Sequence, residues 1–125
     1  MITKEITLAG KPVTLGYCFG TEIAYKDFAD EDILSYVLHV IECLEKKEDP
    51  DKKRTLYAIL ACMLAYYEDA DNAPIKDSDF LKEATPTEFI NAVTAILELR
   101  AEFYHLPKGE PADSAPADSE KPKNA

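Results

Sequence analysis

The sequence has little of what catalytic and metal sites are built from. Glycine occurs 4 times in 125 residues and forms no glycine-rich phosphate loop. There are 2 histidines, His39 and His105, and no H-E-x-x-H pair. G-x-S-x-G is also missing, so no nucleophile elbow is spelled out. The 3 cysteines, Cys18, Cys43 and Cys62, are widely spaced and make no C-x-x-C, which excludes a zinc ribbon or a dithiol redox motif. Each lies in an apolar run, where a free thiol acts as a small hydrophobe, and a chain that keeps free thiols suits a reducing, cytoplasmic compartment. No apolar run approaches the roughly 20 residues of a membrane span. "MITKEITLAG" lacks the apolar core of a signal peptide. Basic residues are in deficit, 14 against 24 acidic, for a net charge of −10. Such a surface repels phosphate backbones and anionic headgroups, so neither nucleic acid nor membrane is an expected partner.

What is present is a globular balance, 46% hydrophobic and 30% charged, in a length that suits one domain. Ile6 and Leu8, then Val13 and Leu15, alternate with polar neighbours around Ala9, Gly10 and Lys11, which predicts a β-hairpin. Pro12 belongs at a strand start or edge. A lone hairpin is marginal in water and must lay its apolar face on other elements. "GYCFG" turns the chain into a short helix, "EIAYKDF", capped by Thr21 with Ile23 and Ala24 inward. Asp30 is the expected N-cap of a second helix carrying Ile33, Val37, Val40, Ile41 and Leu44, with Leu34 and Leu38 widening its stripe.

Asp49 and Pro50 predict the start of a third helix running to about Ala70. "DSDFLKEA" is a short helical turn. In "TPTEF", Thr85 is the N-cap, Pro86 the first helical residue and Glu88 the partner in a capping box, opening a helix that ends near His105. The expectation is a mainly α, α+β fold: the hairpin and a bundle of four to five helices over residues 1–106. Residues 107–125, "PKGEPADSAPADSEKPKNA", hold no branched aliphatic or aromatic residue and read as a disordered tail.

The acidic runs "ADEDI", "EKKED" and "YEDADN" sit at helix ends and linkers, and read as solvated, capped termini. His105, in a last helical turn, suits the helix dipole. No catalytic, cofactor-binding or metal residue emerges, and a non-enzymatic chain is expected. The tyrosines fall on or beside apolar stripes, and the broad apolar face of "LYAILACMLAYY" is wide enough to cover a partner as well as a core. The candidate interaction surface is Val13, Leu15, Tyr17, Tyr57, Tyr66 and Tyr67, with the hairpin's unpaired edge as a template for a further strand.

The opening "ITLAGKPVTLGYCFGTEIAYKDF", followed by an acidic helical body and a polar tail, resembles the tail assembly chaperones of long-tailed bacteriophages. The resemblance covers residues 1–106 as an ordered layout. It implies a non-enzymatic, self-associating protein of the bacterial host cytoplasm. Its partners would be the tape measure protein, held soluble until the tail tube polymerises around it, and the tail-tube protein. It also implies a longer form made by ribosomal frameshifting. "PKN" can be encoded CCA-AAA-AAC, which contains the slippery run A-AAA-AAC, so Lys123 and Asn124 mark a candidate slip site. The competing reading is an acidic helical adaptor or phage-encoded inhibitor of DNA-mimic type that binds a host protein.

Overall fold

A computed structural model describes residues 1–106. The expected tail and the candidate slip site at Lys123 and Asn124 lie outside the described residues. Strands β1 (Ile2–Leu8) and β2 (Lys11–Tyr17) form an antiparallel hairpin, followed by helices α1 (Phe19–Ala29), α2 (Ile33–Lys46), α3 (Lys52–Tyr67), α4 (Asp77–Glu83) and α5 (Pro86–Phe103). This is the expected α+β class, with a 3₁₀ turn at Ala70–Asn72 between α3 and α4.

The hairpin closes through Ala9 and Gly10, whose φ angles of 52° and 76° match the two left-handed residues of a type I′ turn. Lys11, expected in the turn, is the first residue of β2 opposite Leu8. Leu8, Val13, Leu15 and Tyr17 are fully buried against the helices, with Ile6 half-buried beside them. β1 lies along α5 and β2 along α3, so the sheet is one layer and the helices are the other.

α3 is the central helix. Thr55, Leu56, Ala58, Ile59, Ala61, Cys62 and Met63 are all buried, because β2, α1, α2 and α5 surround it. That enclosure accounts for most of the broad apolar face of "LYAILACMLAYY" within the chain itself.

Four helix boundaries differ from the expectation. Asp30 is not the N-cap of α2; it ends α1 in the left-handed region (φ 58°), and Asp32 takes the N-cap position of α2 without a side-chain hydrogen bond to the helix. Asp51, not Asp49, caps α3 by accepting from the Arg54 N–H at 2.9 Å, and Pro50 is buried just ahead of it. α3 therefore starts at Lys52 and stops at Tyr67, short of Ala70. α1 begins at Phe19 rather than Glu22, so Thr21 sits inside its first turn.

The inward face of α1 also differs. Ile23 is 64% exposed, while Thr21 and Tyr25 are buried. The Thr21 hydroxyl accepts from the Cys18 N–H at 3.1 Å and donates to the Gly16 carbonyl at 3.0 Å, tying the helix start to the end of β2. A short helix whose apolar residues are spread around it takes its rotation from such contacts rather than from a stripe.

The capping box at "TPTE" is present, with the Thr85 hydroxyl accepting from the Glu88 N–H at 3.1 Å. Its glutamate does more than cap. Glu88 Oε1 accepts from the Thr85 and Ala9 N–H groups at 3.0 Å each, and Oε2 from Gly10 N–H at 3.1 Å. One carboxylate thus joins the start of α5 to the hairpin turn. These backbone donors hold it below the usual carboxylate range, led by the bond from Thr85.

Candidate interaction surface

Several part-buried polar side chains hold elements together. Glu31, just before α2, accepts from Arg54 Nε at 2.8 Å, from Arg54 Nη2 at 3.1 Å and from the Tyr25 hydroxyl. Arg54 also donates to the Ser35 carbonyl at 3.2 Å, so one guanidinium spans α3 and the first turn of α2. Burial, and then the bond to Glu31, push the Tyr25 phenol well above its ordinary value.

A second cluster joins the end of the hairpin to α1 and α5. Glu22 accepts from the Tyr17 hydroxyl at 2.9 Å and from the Tyr104 hydroxyl at 2.6 Å. The Arg100 guanidinium lies 5.1 Å from the Tyr104 ring, and its Nε is buried with no hydrogen-bond partner. Both carboxylates already bind two groups each, which suits a structural latch.

His39, on α2, accepts the Asp51 N–H through Nε2 at 2.9 Å, with the Cys43 sulfur 3.6 Å from the same nitrogen. His105 is exposed, in the left-handed region (φ 57°) beyond α5. Among the described residues no group of three or more His, Cys, Asp or Glu side chains is arranged to hold a metal ion. Cys62 is fully buried, and burial pushes its thiol up to about 12. No helix is long and apolar enough to cross a membrane among the described residues.

The six candidate surface residues separate into two groups. Val13, Leu15 and Tyr17 are 0% exposed and belong to the core, because the inward face of β2 is spent on α3 and α5. A charge placed at Val13 or Leu15 would therefore break the fold rather than report on docking. Tyr57 is half-buried and stacks on Phe28, with ring centroids 6.2 Å apart. Tyr66 is 42% exposed, edge-on to Tyr67 at 4.9 Å. Tyr67 is half-buried, and its hydroxyl accepts the Thr14 N–H at 3.1 Å.

The larger apolar surface is elsewhere. α2 buries Ile33, Tyr36, Val37, Val40 and Cys43, yet leaves Leu34, Leu38, Ile41 and Leu44 exposed at 48%, 57%, 44% and 61%. Ile41 and Leu44, expected inside, face out. At 100° per residue Leu34, Leu38 and Ile41 form one ridge beside the buried face. Phe19 and Ile23 on α1, each 64% exposed, form a second, smaller patch.

No known protein family, no curated protein and no solved structure matches this chain. The surface therefore has to be read from its own chemistry. Its signal in the sequence is an apolar sector too wide for a helix with one packed side. Periodicity alone assigns the extra width to α3, where it is buried, whereas α2 is the helix left half covered.

Proposed function

We propose that this chain is a tail assembly chaperone of the long-tailed phage type, holding an amphipathic helical client, the tape measure protein, in solution before tail-tube polymerisation. The observation that carries this reading is the ridge Leu34, Leu38 and Ile41 on α2, with Leu44 also exposed near the end of the helix. An exposed row of large apolar side chains at helical spacing is the complement of another helix's apolar face. The net charge of −10 supports a protein kept soluble while it presents such a row. Self-association and contact with the tail-tube protein belong to the same reading, as does the bacterial cytoplasm as its place of work. The hairpin-to-helix opening supports it further, since the resemblance rests on that segment.

The test has a genetic and a physical arm. The gene should carry A-AAA-AAC, or another slippery run, at the codons of Lys123 and Asn124, ahead of an overlapping frame and a very long helical gene. Co-expressed with the product of that long gene, this chain should keep it in the soluble fraction. The double variant Leu38→Glu/Ile41→Glu should fold normally, because both side chains are exposed, and lose that effect. A gene with neither slippery run nor long neighbour, or a variant that solubilises the client as well as the parent, would sink the reading.

A further inference from the structure

The two edges of the hairpin are treated differently. In the register closed by Leu8 and Lys11, hydrogen-bonded pairs alternate with pairs whose N–H and C=O groups point away from the partner strand. On β2 the outward positions are Pro12, Thr14 and Gly16, and each is closed. Pro12 has no N–H to offer. The Thr14 N–H is taken by the Tyr67 hydroxyl at 3.1 Å. The Gly16 carbonyl accepts from Thr21 at 3.0 Å, and the Tyr66 backbone lies against the same glycine. These two bonds also establish the parity, since Thr14 and Gly16 pair with Glu5 and Thr3.

On β1 the outward positions are therefore Thr3, Glu5 and Thr7. All three residues are exposed, and among the described residues no strand lies beyond them. None of the devices that close the β2 edge recurs here. Beside this edge a groove of about 320 Å³ separates β1 from α5, walled on the helix side by Thr94, Ala95 and Glu98. An open strand edge beside a helix is a layout in which an extended peptide adds as a strand and drops alternate side chains into the gap.

We propose that the outer edge of β1 is a strand-addition site for an extended, lysine- or arginine-bearing segment of another protein, seated between β1 and α5. Charge selects this occupant. Lys4, Glu5 and Glu98 line the groove; Lys4 is bound to Glu98 at 2.8 Å, which leaves Glu5 as the excess charge, and Glu102 adds to the negative field at Lys4. A second copy of β1 added antiparallel about Glu5 would set two Glu5 side chains directly opposite each other, which is unfavourable. Thr94 and Ala95 are small and leave room for a side chain, and Glu5, with the Glu98 oxygen that Lys4 does not bind, offers it a carboxylate. This edge involves no residue of α2, so the site stands apart from the client-binding ridge.

The experiment titrates the full-length, isotope-labelled chain with a hexapeptide of alternating threonine and lysine, blocked at both ends, and follows backbone amides by NMR. Shifts should concentrate in residues 2–8 and 91–98, and hydrogen exchange should slow at Thr3, Glu5 and Thr7. Glu5→Pro removes the central outward N–H without touching a β1–β2 bond, and should weaken binding by about tenfold or more. Replacing the peptide's lysines with glutamate should do the same. Thr94→Trp fills the groove from an exposed helix position and serves as a second variant if Glu5→Pro fails to fold. Several results would overturn the proposal: no shifts at millimolar peptide, shifts confined to another face, or binding unchanged in a folded variant. So would slow exchange of the three amides in the free chain, which would place its own residues on the edge. A dimer abolished by Glu5→Pro would make a second copy the occupant and overturn the proposal equally.

Discussion

Among the contacts that attach α2 to α3 is one buried polar pair that a double-mutant cycle can isolate. The Tyr36 hydroxyl and the Thr55 hydroxyl are 2.8 Å apart, and both residues are 0% exposed. Tyr36→Phe keeps the ring, its tilted contact with Tyr25 at 5.9 Å and its apolar burial. What it removes is the partner of the Thr55 hydroxyl, in a place water does not reach. The cost should be a net hydrogen bond plus the desolvation of an orphaned hydroxyl, about 1–3 kcal/mol in all. Thr55→Val keeps the shape and orphans the Tyr36 hydroxyl instead, at a similar cost. The double variant has no unpaired polar atom, so it should fall near the wild type, within about 1 kcal/mol. The expected coupling is the sum of the two single costs less that of the double variant, about 1–6 kcal/mol, and it opposes additivity. Urea unfolding followed by circular dichroism measures it, provided the m-value is unchanged across the four proteins. Costs that simply add would refute the reasoning, because they would mean that each hydroxyl finds another partner. In a helix, the threonine's fourth-preceding carbonyl is the obvious substitute.

Gly16, Glu88 and the buried tyrosines carry three further expectations. A Cβ at Gly16 would lie 2.6 Å from the Met1 sulfur and 3.3 Å from Tyr66 Cβ, and only the methionine can easily move. Gly16→Ala should therefore lose about 1–3 kcal/mol by thermal or urea unfolding. Glu88 has a folded pKa held below its ordinary 4.5, so its contribution to stability is present above that value and is lost as pH falls through the lower folded one. Glu88→Gln should lower the melting temperature at pH 7, and the gap from wild type should narrow below about pH 4. Tyr17, Tyr25 and Tyr36 have phenols raised above 10.0, chiefly by burial. The folded state holds these protons longer, so their contribution is intact below pH 10 and declines above it. In a spectrophotometric titration, these phenols should ionise only with alkaline unfolding.

Several features are legible in the chain itself because they are decided by near neighbours. The hairpin alternation, the Thr85–Pro86–Glu88 helix start and the existence of each helix all depend on residues within about four positions of one another. Caps are harder to assign where acidic residues crowd together. In "ADEDI" the expected N-cap is Asp30, but Asp30 ends α1 and the N-cap position of α2 falls to Asp32. Glu88 shows the same limit from the other side. Its capping role can be read from "TPTE", but its bonds to Ala9 and Gly10 cross 79 and 78 positions.

The candidate surface depends most on what lies far away in the chain. α2 and α3 both present broad apolar sectors, and nothing in either segment says which will be enclosed. The order of packing decides it: β2, α1 and α5 close around α3, while α2 is covered on one side alone. The same holds for the hairpin edges. Alternation identifies two strands and Pro12 marks an edge, yet only the fold brings Tyr67 to Thr14 and sets β1, with Glu5 and Thr7, against a groove beside α5. The sequence by itself determined which segments are helix or strand, and the acidity of the surface that carries them, because propensity, capping and charge are local or additive quantities. Tertiary structure alone decided which apolar residues and which backbone groups are left over, because burial is a competition among elements for a limited area of contact.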